Sequence, residues 1–436
     1  MKKTFLDKRL ETMDRPSLRL EQLRMLQQSL DQALKTPFYK KKLEGTGITS
    51  GYDIKALPDI TRLPFITKND LRDAYPRKHL AEPMEQVVRV HMSSGTTGIP
   101  TVIYHTQEDL DNWTLLVARS VIATGCEKSD VFQNMMTYGL FTGGLGLHYG
   151  AEKAGMAVIP ASSGNTKRQL WLMKEFGTTV VHATPSYMLH IHSELVKEGY
   201  SLSDLRLKKA FLGAEPYSEN TRKKIEELFK IDAYNSYGLS EMNGPGVAFE
   251  CVHKCGMHVW EDSYIVEVIN PDTLELCRDG EEGELVFTTL KRKATPLLRY
   301  RTRDLSKIIA GPCACGRTHR RIDRIKARTD DMLIINGVNV FPSQIEEVLM
   351  HMPEMGTNYQ IVVDKKESLD RVTVKTEVNS GLFKDDMRDL EALSKRIRDT
   401  IKSRVLVNPV VELHEPGMLP VYEGKAKRVI DNRPVL

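Results

Sequence analysis

The 436-residue chain carries 62 Lys and Arg against 58 Asp and Glu, and its formal charge of +4 is too small to point to nucleic acid or a membrane surface as partner. Hydrophobic residues at 41% and charged residues at 28% are ordinary for a soluble globular protein, and the length exceeds what one compact core accommodates. At least two domains acting on a small molecule are therefore expected. A cytoplasmic setting is expected as well, because Asp7, Lys8 and Arg9 interrupt the apolar run a secretory signal needs and no stretch reaches membrane-span length.

Leu23, Leu26, Leu30 and Leu34 recur at helical spacing up to Pro37, and Thr67 with Asp70 forms an N-cap pair, so residues 1–85 read as a helical preface. From 86 to 240, the short apolar runs VVRVHM, TVIYHT, DVFQNMM, AVIPAS, TVVHATP, KKAFLGAEP and IDAYNSYG alternate with helical segments such as SENTRKKIEELF, where Ile225, Leu228 and Phe229 make one stripe. That alternation predicts an α/β fold with a doubly wound, largely parallel sheet, whose sites lie beyond the carboxyl ends of the strands. In 241–329, SYIVEVIN and ELVFTTL read as strands of a barrel-like subdomain that completes a large N-terminal domain, 1–329. Residues 330–436 then read as a small α+β C-terminal domain: MLIINGVNV, a helix capped by Ser343, YQIVVDKK, RVTVKTEV, a charged helix from 382 to 405, and VVELHEP.

Five stretches carry candidate chemistry. In SSGTTG, 93–98, glycines and hydroxyls beside free backbone N–H groups can hold phosphate oxygens, or simply form a polar hairpin turn. NSYGLSEMNGPG, 235–246, places Tyr237 where it can stack on a planar ring and Glu241 where it can reach a hard cation such as Mg²⁺; the alternative is a loop with a buried Tyr. In RYRTRDL, Asp304 among arginines can accept from a sugar diol or belong to a structural ion-pair cluster. ARTDDMLIINGVNVFPSQIEEVL puts Asp330 and Asp331 at the domain boundary and Gly337 in a turn, and LPVYEGKAKRV puts Lys425 on a flexible turn, where a lysine can also just solvate the surface. Cysteine chemistry is separate. Cys251, Cys255 and His258 in ECVHKCGMH and Cys313 and Cys315 in GPCACG offer one donor more than a tetrahedral zinc needs, the alternative being buried free thiols. Cys126 and Cys277 read as packing residues.

In this order and at these separations the five stretches resemble the adenylate-forming acyl-CoA synthetase superfamily. SSGTTGIPT, GAEP, HVWED, RYRTRDL, TDDMLIINGVNVFPSQIEE and EGKAKRV are similar to its phenylacetate-CoA ligase branch across nearly the whole chain. The resemblance implies an ATP- and coenzyme A-dependent acid-thiol ligase for an arylacetic acid, working through an acyl-adenylate and releasing AMP and pyrophosphate. Indoleacetate or hydroxyphenylacetate as substrate, an acceptor other than CoA, and a non-catalytic nucleotide-sensing module are the alternatives.

By that resemblance Ser93, Ser94, Gly95, Thr96, Thr97 and Gly98 wrap the β- and γ-phosphates of ATP, while Gly213, Ala214, Glu215, Pro216, Ser236, Tyr237 and Gly238 border adenine. Glu241 holds Mg²⁺, Asp304 binds the ribose, Arg328 lies near the phosphates and Asp330 is the hinge of a mobile C-terminal domain. Lys425 bridges the carboxylate and the α-phosphate, and Gly337 lines the channel for the CoA thiol. Tyr138, Phe141, Ala214, Gly244 and Pro245 form the acyl pocket, with 244–246 as a loop. Cys251, His258, Cys313 and Cys315 hold a structural zinc, Cys255 replacing His258 as the alternative, and a homodimer is the implied assembly. Two positions depart from the wider superfamily: Thr101 stands where a lysine is frequent, and Arg303 where glycine is common.

Overall fold

The computed structural model describes residues 4–93, 100–366, 369–379, 387–422 and 426–433. Its contacts divide the chain into two compact units, one of Met1–Ser162, Thr178–His182 and Tyr234–Arg324, the other of Ser163–Gly177, Ala183–Ala233 and Ile325–Leu436. Among the described residues no helix is long and apolar enough to cross a membrane.

The first unit opens with the helices the leucine spacing predicts. Asp14 caps Arg15–Ala33 by accepting from the Ser17 N–H, and Leu18, Leu26 and Leu30 are fully buried. Thr67 and Asp70 exchange the two hydrogen bonds of a capping box at the head of Lys68–Asp73. Further along, Val131–Asn134 pairs in parallel with Ala157–Ile159 and with Val180–Ala183, and the Thr142–Ala154 helix makes the crossover between the first two. This is the α/β core expected from the alternation of runs.

An antiparallel set follows, in which Asp232–Leu239 pairs with Gly244–Glu250, then Met257–Val259, Arg321–Ile322 and Ile308–Ile309 in turn. Residues 244–246, expected as a loop, therefore begin a strand. Their approach is close enough that a Cβ on Gly238 would lie 1.9 Å from the Gly244 carbonyl oxygen, so only glycine fits there. A second antiparallel sheet joins Tyr264–Ile269, Gly283–Thr289 and Tyr300–Ser306. Buried ion pairs Arg119–Asp262 and Arg299–Glu267 brace this region. Removing one partner of such a pair costs about 3–5 kcal/mol, because the other charge stays buried.

In the second unit, helices Pro185–Lys197 and Glu219–Phe229 pack on each other, with the Lys209–Gly213 strand between them in sequence. Its carboxyl-terminal part is an α+β layer with strand order Val410–His414, Leu369–Val378, Met355–Lys366, Val429–Asp431, antiparallel at the centre and parallel at both edges. The charged helix, described from Met387 to Val405, buries Leu393, Ile397, Ile401 and Val405 at four-residue intervals against Ile361, Val374 and Leu349. The helix expected to be capped by Ser343 starts two residues earlier, with Phe341 at the cap position. Pro342 occupies its first position, where a missing N–H is harmless, and the Phe341 N–H donates to Gln344 Oε1 at 2.9 Å.

Candidate active site

Of the glycine-rich loop, Ser94, Gly95, Thr96, Thr97 and Gly98 lie outside the described residues, as does Lys425. The neck of the loop is described: Arg89–Met92 and Val102–His105 form an antiparallel pair, the Ser93 N–H donates to the Thr101 carbonyl at 3.0 Å and the Thr101 N–H to Ser93 Oγ at 3.3 Å. Thr101 is fully buried, and its hydroxyl has no hydrogen-bond partner among the described residues. The cation common at this position in the superfamily is thus replaced by a small buried side chain.

Ser236, Tyr237 and Gly238 lie on the Asp232–Leu239 strand, with a register shift between Tyr237 and Gly238. The Tyr237 hydroxyl donates to Asp304 Oδ2 at 2.7 Å, and both side chains are buried. Arg299 pairs with Glu267 and Arg301 with Glu284, so the ion-pair cluster of this stretch is built on the glutamates. Glu241 follows the strand on the Ser240–Met242 turn. Its carboxylate is buried, and its Oε1 makes an ion pair with Lys68 Nζ at 3.4 Å. A buried carboxylate is favoured only beside positive charge, which Lys68 supplies in part. The oxygen donor therefore suits a hard cation such as Mg²⁺.

Of the residues expected to form the acyl pocket, Tyr138, Phe141, Gly244 and Pro245 lie in the first unit, near the head of the Thr142–Ala154 helix, while Ala214 belongs to the second unit. The Tyr138 hydroxyl accepts from Asn134 Nδ2 at 3.0 Å and lies 3.2 Å from His148 Nδ1; burial pushes its pKa up to about 12, so it stays neutral. Small residues let the walls close in: a Cβ on Gly143 would meet the Phe141 ring at 2.6 Å, and one on Gly244 would meet Thr142 Oγ1 at 2.5 Å. Trp113, which no sequence motif marks, donates its indole N–H to the Pro245 carbonyl at 2.8 Å and stacks on His105. Three non-glycine residues here and in the neighbouring motifs, Ala214, Asn243 and Arg303, hold left-handed backbone at φ of 69, 82 and 69°. Such strain concentrates where local geometry serves a site.

In the second unit Gly213 ends a strand, and Glu215 and Pro216, two and three residues on, line a cavity of about 540 Å³ together with Arg328, Asp330, Ala426 and Arg428. Glu215 accepts from the Ser186 N–H at 2.8 Å and from the Ala426 N–H at 3.3 Å, and desolvation raises its pKa above the usual carboxylate value. Arg328 and Asp330 form a two-pronged pair with both contacts at 2.9 Å. Gly337, exposed at φ 84°, and Asn336 at φ 48° make the two-residue turn between Leu333–Ile335 and Val338–Val340. Two successive left-handed residues are what a tight hairpin demands, so this Asn-Gly turn also has a purely structural reason to exist.

Cys251, His258, Cys313 and Cys315 each offer a donor atom, and all four atoms lie within 4.8 Å of one another. The Cys251–Cys313 sulfur separation is 3.7 Å, and Cys315 Sγ lies 3.4 Å from His258 Nε2. Tetrahedral zinc with bonds of ~2.3 Å would set sulfurs ~3.8 Å apart, so the donor set fits that ion. Hydrogen bonding from Cys251, then His258, favours thiolate at Cys315. Cys255 Sγ also approaches Cys313, at 3.5 Å, but it receives the Arg321 guanidinium at 3.0 Å.

Known proteins share this architecture. Residues 23–290 match the AMP-binding enzyme family and residues 337–433 match the AMP-binding enzyme C-terminal domain. The chain is 45% identical to a phenylacetate-coenzyme A ligase of Thermus thermophilus, covering 97% of this chain and 98% of that one. It is 43% identical to a phenylacetate-coenzyme A ligase of Escherichia coli, covering 98% of each. A crystal structure of 2-hydroxyisobutyryl-CoA ligase in the postadenylation state, in complex with 2-HIB-AMP, matches with a TM-score of 0.93 at 26% identity, over 99% of this chain and 93% of that chain.

Proposed function

This chain belongs to the adenylate-forming AMP-binding enzyme family, on its phenylacetate-coenzyme A ligase branch, and from that membership we infer that it activates an arylacetic acid, phenylacetate first, with ATP and passes the acyl group to coenzyme A. A carboxylate is a poor acyl donor because its leaving group would be oxide. Attack of its oxygen on the α-phosphorus expels pyrophosphate and gives an acyl-adenylate; the CoA thiol then attacks the carbonyl, and AMP leaves as the thioester forms.

In the first step one anion attacks another, which requires positive charge where negative charge gathers. Lys425 is the residue for that task, bridging the carboxylate and the α-phosphate. Residues 93–98 cradle the β- and γ-phosphates through backbone N–H groups, residues 213–216 and 236–238 border adenine, Asp304 receives the ribose hydroxyls and Arg328 stands by the phosphates. Glu241 would hold Mg²⁺, which when bound would supply positive charge against that of the triphosphate. Tyr138, Phe141, Ala214, Gly244 and Pro245 receive the aryl group. In the second step the chain turns about Asp330, which withdraws Lys425 and brings in the Gly337 turn beside the incoming thiol. A structural zinc on Cys251, His258, Cys313 and Cys315 keeps all four ligands and fastens strands to turn rather than activating water. The enzyme works in the cytoplasm, as a homodimer.

The observation that carries this reading is the 43–45% identity to phenylacetate-coenzyme A ligases over nearly the full chain, and the buried Glu241 carboxylate, next in chain to the strand bearing Tyr237, supports it. The test is pyrophosphate release across phenylacetate, indoleacetate, hydroxyphenylacetate and benzoate, each with and without CoA. Release with phenylacetate, and acyl-CoA only when CoA is added, is the expected result. ATP binding without release for any acid would favour the sensing module instead.

A further inference from the structure

Glu346 has no part in the roles above, yet three donors converge on it. It lies on the Pro342–Met350 helix and is 8% exposed. Its Oε1 accepts from the Ser218 N–H at 3.2 Å and the Thr221 hydroxyl at 2.6 Å, and its Oε2 accepts from the Tyr359 hydroxyl at 3.0 Å. Ser218 is the N-cap of the Glu219–Phe229 helix and Thr221 stands in its first turn. A carboxylate from a distant part of the chain thus sits at the positive end of that helix, where its charge is favoured. One turn further on, Lys224 Nζ donates to the Met355 and Gly356 carbonyls at 2.8 and 3.2 Å. Just before the cap, Glu215 accepts from the Ala426 N–H.

These contacts join one short stretch, residues 215–224, to the segment that matches the C-terminal family domain. Ala426 directly follows Lys425 in the sequence, so the placement they fix is the one that brings the chain next to Lys425 up to Glu215. Every group involved is polar and can turn to water on separation, so the joint is strong but separable. Hydrogen bonds to a charged group are among the stronger ones, and burial raises their weight.

We propose that Glu346 and Lys224 are positioning residues that hold the C-terminal segment in its adenylating placement and must release it before the CoA half-reaction. Neither touches the reacting atoms; each acts through the position of the chain next to Lys425. The inference rests on the two-step ligase reading above. An amide at position 346 keeps the shape but loses the charge and half of the acceptor capacity, whereas Lys224→Met removes the second tie and leaves the first intact.

The experiment measures the two half-reactions separately in the full-length enzyme: phenylacetate-dependent pyrophosphate release without CoA, and thioester formation from supplied phenylacetyl-adenylate and CoA. Glu346→Gln and Lys224→Met should each slow the first by about tenfold or more, the scale of a lost charge-assisted hydrogen bond, with the second unchanged or faster. Equal losses in both half-reactions would mean a structural role and overturn the proposal, as would no loss in the first. Should Glu346→Gln fail to fold, Lys224→Met alone decides. A wild-type enzyme silent in both half-reactions would instead overturn the ligase reading, and the proposal with it.

Discussion

Arg303 holds a left-handed backbone at φ 69° within the Tyr300–Ser306 strand. Register is lost at the same point: Glu284 pairs with Leu305 and Val286 with Arg301, so residues 302–304 face Leu285 alone. The bulge is where the strand carries Asp304, whose carboxylate meets the Tyr237 hydroxyl. Glycine at this position in the wider superfamily now has a physical reason, since glycine enters the left-handed region at little cost. Arginine bears a cost of roughly 1–2 kcal/mol there. Its N–H on Glu284 Oε1, at 3.2 Å, and its guanidinium 3.7 Å from the same carboxylate offset part of that. Arg303→Gly should therefore leave stability within about 1 kcal/mol of the parent, while Arg303→Val, β-branched in a conformation such residues avoid, should lose about 2 kcal/mol. Urea unfolding of both variants checks this. Equal losses would assign the effect to the missing guanidinium rather than to the backbone.

Among the elements, the Cys313–Cys315 turn has the most to lose from one atom. Cys251 and Cys313 pack against Ala123 there, and Cys315 Sγ meets His258 of the Met257–Val259 strand. Cys313→Ser should lower zinc content and, if the ion fastens the turn to that strand, lower the thermal midpoint by roughly 5 °C or more. Metal analysis of the purified variant decides the ligand assignment, and unchanged zinc stoichiometry would remove Cys313 from the site. The types of donor were legible in the sequence, but the choice between His258 and Cys255 was not, because it turns on a strand that aims His258 inward and on Arg321 reaching the Cys255 sulfur. The pattern holds elsewhere. Alternating runs such as TVVHATP revealed their strands, and Thr67 with Asp70 revealed a cap, because these signals are local. Gly244–Glu250 was hidden by a Gly-Pro-Gly head that reads as loop, and Pro342 rather than Ser343 opened its helix. Glu346 could not be told from Glu347 by sequence, although one is buried and the other exposed. Two of its partners, Ser218 and Thr221, lie more than a hundred residues away, beyond the reach of any local pattern.

At the scale of the whole fold, the first unit is held together around neutral histidines. His79, His91, His105, His182 and His319 are all buried, and desolvation pulls each below the ordinary imidazole value. His182, on the Val180–Ala183 strand, is the sharpest case, pulled down to about 3, and its Nδ1 has no partner among the described residues. The unfolded chain takes up a proton at such a histidine near pH 6.5, whereas the folded one resists until about pH 3. Between those values the unfolded state binds more protons, so stability falls as the pH drops through this window and is fully present above it. His182 alone should remove about 2 kcal/mol by pH 5. Urea midpoints followed by tryptophan fluorescence at pH 7.5 and 5.0 should fall steeply in the wild type, and His182→Gln should flatten the dependence by about one proton. An unchanged slope in the variant would mean that His182 is already protonated in the folded state. The same linkage bears on the ligase assays: with several such histidines adding their terms, activity lost between pH 6.5 and 5 should track the unfolded fraction, and activity that falls while fluorescence stays native would place the titrating group in the chemistry instead.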